Sequence, residues 1–173
     1  MENQPEAILV EFIRYNNWAN HRVLQACQNL SDDQLDTAAL GAYGTIRLTL
    51  LHIIWAEADY VGRLMGTRPY PSFKREDQPA VAGLSAFAGD VAPALLDAVQ
   101  RIPPNHIVHE EEDGNTFDYQ ARGLFIQIIN HGIEHRTNIT TILSSLGLPT
   151  PEVDGWGYIG AHPDQFEMKT GSK

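Results

Sequence analysis

Cysteine is nearly absent from this chain. Cys27 is the only one in 173 residues, which excludes a disulfide framework. Basic residues are scarce as well: 12 Lys+Arg stand against 22 Asp+Glu, a net charge of −10. A chain this acidic repels phosphate backbones and anionic lipid, so nucleic-acid and membrane-surface roles are poorly matched to it. No apolar run reaches the length of a spanning helix. The opening Met1-Glu2-Asn3-Gln4-Pro5-Glu6 lacks the basic-then-apolar build of a signal peptide. Internal repeats and low-complexity tracts are missing too. What is present is a globular balance, 43% hydrophobic and 20% charged, expected to form one cytoplasmic domain over residues 1–173. A domain of this size buries roughly 70% of its unfolded surface, enough to enclose a site.

Four long segments carry helical periodicity. In the first, about Glu6 to Asn29, Leu9, Phe12, Ile13, Val23, Leu24 and Cys27 recur at steps of three and four. Ser31 with Gln34 three residues on has the form of a capping box and predicts a short helical turn. The second long helix is expected from Gly44-Thr45 to about Met65, before Gly66 and Pro69. Ile46, Leu48, Leu50, Leu51, Ile53, Ile54 and Trp55 make it apolar around most of its girth, so it belongs in the centre. The third lies near Val81 to Ile102, where Gly83, Gly89 and Pro93 predict a kink or a late start. Two β-prone runs around Asp113-Gly114 predict a small hairpin. The fourth runs from about Gln120 to Leu146 and stops at Gly147, with Pro149 beyond. The tail after Pro151 reads as irregular. The expected fold is all-α, a four-helix bundle with a small β-hairpin before the last helix.

Chemistry concentrates in the last helix. Leu124, Ile128, His131, His135, Asn138 and Ile142 follow the three–four rhythm, so two imidazoles and an amide replace core residues. Positions i and i+4 lie one turn apart on the same face, and imidazoles so placed can ligate one divalent ion. His52 supplies a third, inside the apolar run Leu50-Leu51-His52-Ile53-Ile54-Trp55. Three histidines with an open position suit a catalytic zinc, and nickel or iron as well. Asn16 and Asn20 fall in phase with Ile13 and Val23: either they sit at the edge of the apolar stripe, or the inner face of the first helix turns polar midway and they contact ligands or a substrate. Trp55, Asp59 and the tail near Trp156 complete the expected walls, although Asp59, two turns from His52, equally suits a helix-end salt bridge. His21, His106, His109 and His162 read as solvated, Cys27 as a small core residue. His131-Gly132-Ile133-Glu134-His135 also matches H-x-x-E-H, with Glu134 as the general base of a peptidase. Such enzymes are far larger and draw a glutamate ligand from a distant helix, so this is a minor alternative.

With these residues assembled, the sequence resembles the DinB/YfiT-like family of metalloenzymes. The resemblance runs from Tyr15-Asn16-Asn17-Trp18-Ala19-Asn20 to Asp154-Gly155-Trp156. It rests on Leu51-His52-Ile53 with Glu57 following, and on His131, His135 and Arg136 with Leu146-Gly147 beyond. Where the family usually has Gly-Gln after this last motif, Thr137-Asn138 stand here; the ligands are intact but a contact by the glutamine is changed. The resemblance implies an up-down-down-up bundle, three histidines on one divalent metal, and a homodimer. Characterised relatives include transferases and isomerases that use bacillithiol, mycothiol or glutathione. The expected function is therefore a thiol-dependent S-transferase or isomerase activity on a small molecule, with zinc the first choice of metal, nickel the next, and a low-molecular-weight thiol as co-substrate. The alternatives are a metal-dependent hydrolase and a non-catalytic metal or small-molecule binding protein of a stress response.

Overall fold

The computed structural model describes residues 4–74 and 76–168; the opening residues 1–3, part of the stretch read above as unlike a signal peptide, lie outside them. The elements in chain order are α1 (Gln4–Cys27), α2 (Asp32–Leu35), α3 (Ile46–Met65), α4 (Val81–Arg101), β1 (Ile107–Glu112), β2 (Asn115–Gln120), α5 (Ala121–Ser145) and α6 (Gly155–Ala161). Local chemistry explains most of these limits. The Ser31 hydroxyl accepts from the Gln34 N–H while the Gln34 side chain accepts from the Ser31 N–H, so the expected capping box opens α2. Thr45 caps α3 by accepting from the Leu48 N–H, and Gly66 ends that helix at φ 72°, a left-handed conformation that favours glycine.

The four long helices α1, α3, α4 and α5 form the bundle, and their directions follow from which ends share a core. One apolar cluster joins Val23, Leu24 and Cys27 of α1 to Ile46 and Leu50 of α3, Val81 and Leu84 of α4, and Ile139 and Ile142 of α5. A second joins Ile13 of α1 to Val61 and Leu64 of α3, Leu95 and Val99 of α4, and Leu124 and Ile128 of α5. The end of α1 therefore meets the starts of α3 and α4 and the end of α5, which is the up-down-down-up arrangement. Parallel α3 and α4 require a connection that returns along the bundle, and residues 66–80 make it. Arg47 fastens the returning chain: its buried guanidinium pairs with Asp32 at 2.7 Å and Asp36 at 2.8 Å and donates to the Pro79 carbonyl at 3.1 Å.

Two features differ from expectation. α4 is continuous through Pro93, because Phe87, Val91, Leu95 and Val99 are buried along one face and packing outweighs the lost donor. It is also, among the described helices, the one long and apolar enough to cross a membrane by length and composition, where no such run was expected. About 33% of that stretch is buried, in the clusters it shares with α1 and α3. The tail is not wholly irregular, since Asp154 accepts from the Gly157 N–H and opens α6, whose Tyr158 packs on Tyr15 and Trp18. The hairpin forms as expected, β1 antiparallel to β2 from Ile107↔Gln120 onward, with Asp113 and Gly114 both at positive φ.

Candidate metal centre

Between the two apolar clusters lies a polar layer. On α1 it is Asn16 and Asn20, on α3 His52 and Glu57, and on α5 His131, His135 and Arg136. All but His52 are buried. Seven polar groups at mid-height of apolar helices call for internal partners, and the layer falls into two halves, of which the first is the more fully hydrogen-bonded.

The first half is a bridged ion pair. The Arg136 Nη1 donates to Asn16 Oδ1 at 2.8 Å and to Asn20 Oδ1 at 2.7 Å. The Nδ2 atoms of the same two asparagines donate to Glu57 Oε1 at 2.6 and 2.8 Å. Two amides thus relay between a buried cation and a buried anion, using acceptor and donor ends together. Burial pushes the Glu57 carboxyl up, against the opposing pull of the two amides and Arg136; burial pushes the Arg136 guanidinium down. Gly132 makes room for this assembly, since a Cβ there would lie 2.6 Å from Arg136 Nη1 and would also meet Asn16 Oδ1.

The second half is the histidine cluster. One nitrogen from each of His52, His131 and His135 lies within 4.8 Å of the others. The His52 and His131 Nε2 atoms are 2.9 Å apart, and the ring centroids are 4.4 to 4.7 Å apart. Tetrahedral zinc with Zn–N of about 2.0–2.1 Å places its nitrogens about 3.3 Å from one another; the donors suit such an ion in type, with one pair at 2.9 Å and all three within 4.8 Å. The Nδ1 atoms of His131 and His135 are buried with no hydrogen-bond partner among the described residues. Burial, then His135 and His52, then Arg136 push His131 down to about 4, and burial also lowers His135. Both are therefore neutral at pH 7, as ligation requires.

A tyrosine missed in the sequence closes one side. Tyr43, in the segment between α2 and α3, stacks on the His52 ring with centroids 4.2 Å apart and planes 19° apart. It meets His135 edge-on at 4.9 Å. Its backbone N–H donates to Asn138 Oδ1 at 3.0 Å, so Asn138, on the histidine face of α5, reaches the site through this loop. Tyr43 sits in a non-periodic stretch, where no spacing marks a residue as inward-facing.

The remaining expected residues are placed as follows. Asn16 and Asn20 are hydrogen-bonded to Glu57 and Arg136, and Asn20 also borders, with Arg136, Leu50 and Ile53, a small cavity of about 10 Å³. Trp55 packs on Phe87 and lies under the Arg68 guanidinium, and Asp59 pairs with Arg68. Trp156 on α6 is 81% exposed. Glu134 is exposed and outside the histidine cluster, which leaves the peptidase motif without its base in place. His21, His106 and His109 are exposed, and His162 is half-buried beside Trp18 and Tyr158.

Comparison with known proteins agrees with this architecture. The model of the DinB family matches residues 1–167. A crystal structure of a DinB-like protein from Bacillus cereus ATCC 10987 superposes with a TM-score of 0.65 at 18% identity, over 84% of this chain and 95% of that one. At that identity the likeness concerns the fold. No curated protein sequence matches the chain.

Proposed function

The chain belongs to the DinB family, and from that premise we propose that His52, His131 and His135 hold one divalent metal ion, zinc first and nickel next, for thiol-dependent transfer or isomerisation of a small molecule. The observation that carries the reading is the convergence of three imidazoles within 4.8 Å in the polar layer of an otherwise apolar bundle. An ion bound there supplies Lewis acidity that lowers the pKa of a coordinated thiol or water. The chain's own residues prepare the place. His131 and His135 stay neutral and present lone pairs at pH 7. Tyr43 keeps water from one face of His52, and the Glu57–Asn–Arg136 assembly fixes the helices that carry the ligands. Bacillithiol, mycothiol and glutathione are the candidate co-substrates, and a cytoplasmic setting, where low-molecular-weight thiols are held reduced, belongs to this reading.

The test is metal analysis of the purified protein, followed by calorimetric titration of metal-free and zinc-loaded forms with the three thiols at several pH values. Binding to the loaded form alone supports the reading. Equal binding to both, or binding to neither, leaves metal-assisted hydrolysis or simple metal binding as the better account.

We also propose that two copies pair through α1 and α5. Ile8, Phe12, Ile126 and Ile133 are 60, 51, 69 and 45% exposed and line one groove of about 470 Å³ between these helices. An apolar patch shared by two helix faces is the kind of surface that a second copy covers.

A further inference from the structure

The segment that delivers Tyr43 is built as a rigid excursion. Its base is closed by the Ile46 N–H donating to the Thr37 carbonyl at 3.2 Å and by the antiparallel bridge Ala38↔Thr45. The Ala42 N–H donates to the Ala39 carbonyl at 3.1 Å, turning the chain, and Gly41 at φ 82° takes the left-handed position that the turn needs. At the far side Asn138 accepts from the Tyr43 N–H, while its own Nδ2 donates to the Glu134 carbonyl at 2.8 Å. That second bond pins the Asn138 side chain to α5, so loop and ligand helix are joined at the level of His135.

We propose that Tyr43, latched to α5 by Asn138, is a positioning residue of the metal centre, which holds the His52 imidazole in its ligating orientation and slows release of the bound ion. The inference rests on the metal reading above. Its geometric ground is that one phenol ring contacts ligands from two helices, flat on His52 and edge-on to His135. An imidazole on α3 turns about two side-chain bonds. A parallel ring 4.2 Å away removes the rotations that would swing its nitrogen from the other two. Tyr43 as a residue remains 53% exposed, so the latch covers the ligand without being part of the core. Asn138 earns a role here that its helical phase alone did not define: it serves the site through the loop rather than by touching the ion.

The experiment uses the full chain loaded with cobalt(II), whose visible absorption reports its coordination, and follows transfer of the ion to excess EDTA. Variants are Tyr43→Ala, Tyr43→Phe, Asn138→Ala and, as a control on the same loop, the fully exposed Leu40→Ala. Loss of one stacked contact should speed release roughly threefold to tenfold in Tyr43→Ala and in Asn138→Ala. Tyr43→Phe keeps the ring and should release at the wild-type rate, as should Leu40→Ala. Equal rates in wild type and Tyr43→Ala, or a Tyr43→Phe as fast as Tyr43→Ala, would overturn the positioning role while leaving the metal centre standing. A wild-type chain that takes up no cobalt would overturn the metal reading and this inference with it.

Discussion

Gly132→Ala should destabilise this protein although the position is inside a helix. Alanine in a helix interior is favoured over glycine by about 0.8–1 kcal/mol, so propensity alone forecasts a gain. At residue 132 the added methyl would stand 2.6 Å from Arg136 Nη1 and 3.2 Å from its Cζ, besides meeting Asn16 Oδ1. These are not free ends that can swing aside. Arg136 is 1% exposed, Asn16 is fully buried, and each is held by the hydrogen bonds that bridge to Glu57. Overpacking of a buried site costs about 1–3 kcal/mol. Stretching a hydrogen bond to a buried charge adds about 1.5–3 kcal/mol. After the propensity gain is subtracted, a net loss of about 1.5–5 kcal/mol remains. For a chain of this length that corresponds to a fall in Tm of roughly 3–20 °C. The companion is Gly123→Ala in the same helix, where nothing lies within 4 Å of the added carbon. There propensity acts unopposed, and a gain of up to about 1 kcal/mol is expected. Urea unfolding of both variants decides the matter. A Gly132→Ala protein as stable as wild type would show that the polar layer is loose enough to rearrange, and the close-packed relay described above would be wrong.

Alanine at His52, His131 or His135 should reduce metal content sharply in each case, read by elemental analysis; full occupancy in all three variants would reject the ligand assignment. In the metal-free protein His131 is held down to about 4 from an ordinary 6.5. The unfolded chain therefore takes up that proton first, so stability present above pH 6.5 should fall as pH drops toward 4. His135 acts in the same direction, and a flat stability profile across that window would refute the burial of the pair. Cys27 is buried and its thiol is pushed up to about 12 by that burial. A maleimide at pH 8 should leave it untouched until urea unfolds the chain, and native labelling would place it outside the core. Ile126→Asp should convert a species of twice 19.3 kDa to one of 19.3 kDa by light scattering; a wild type that is monomeric at all concentrations would reject the pairing.

The fold was legible because its signals are local and redundant. Thr45, Gly66, Ser31, Gln34 and the Asp113-Gly114 turn each mark a boundary through backbone geometry that the residue type alone dictates. α6 was not legible, because three glycines in Gly155–Ala161 lower its helix propensity and its stability comes from Tyr158 docking on α1. The histidine cluster was legible from phase: His131 and His135 repeat an apolar rhythm, and His52 interrupts an apolar run. What phase could not distinguish was whether Asn16 and Asn20 face a ligand or one another's partners. The same polar spacing on α1 fits both, and the difference lies in Glu57 and Arg136 on two other helices.

The two halves of the polar layer meet in one stretch of α5. His131 and His135 form one i, i+4 pair; Gly132 and Arg136 form the next, rotated by about 100° around the axis. The first pair faces His52 and Tyr43, the second faces Asn16 and Asn20 on α1. A helix cannot rotate one of these faces without rotating the other. The relay to Glu57 therefore fixes the angular setting of both histidines, with Glu57 itself on the helix that carries His52. This explains why a bundle keeps a buried ion pair that apolar residues could replace with little loss of stability. Apolar side chains would tolerate small rotations of α5 against α3. Paired hydrogen bonds of 2.6 to 2.8 Å admit far less, and a site assembled from two helices depends on that angle.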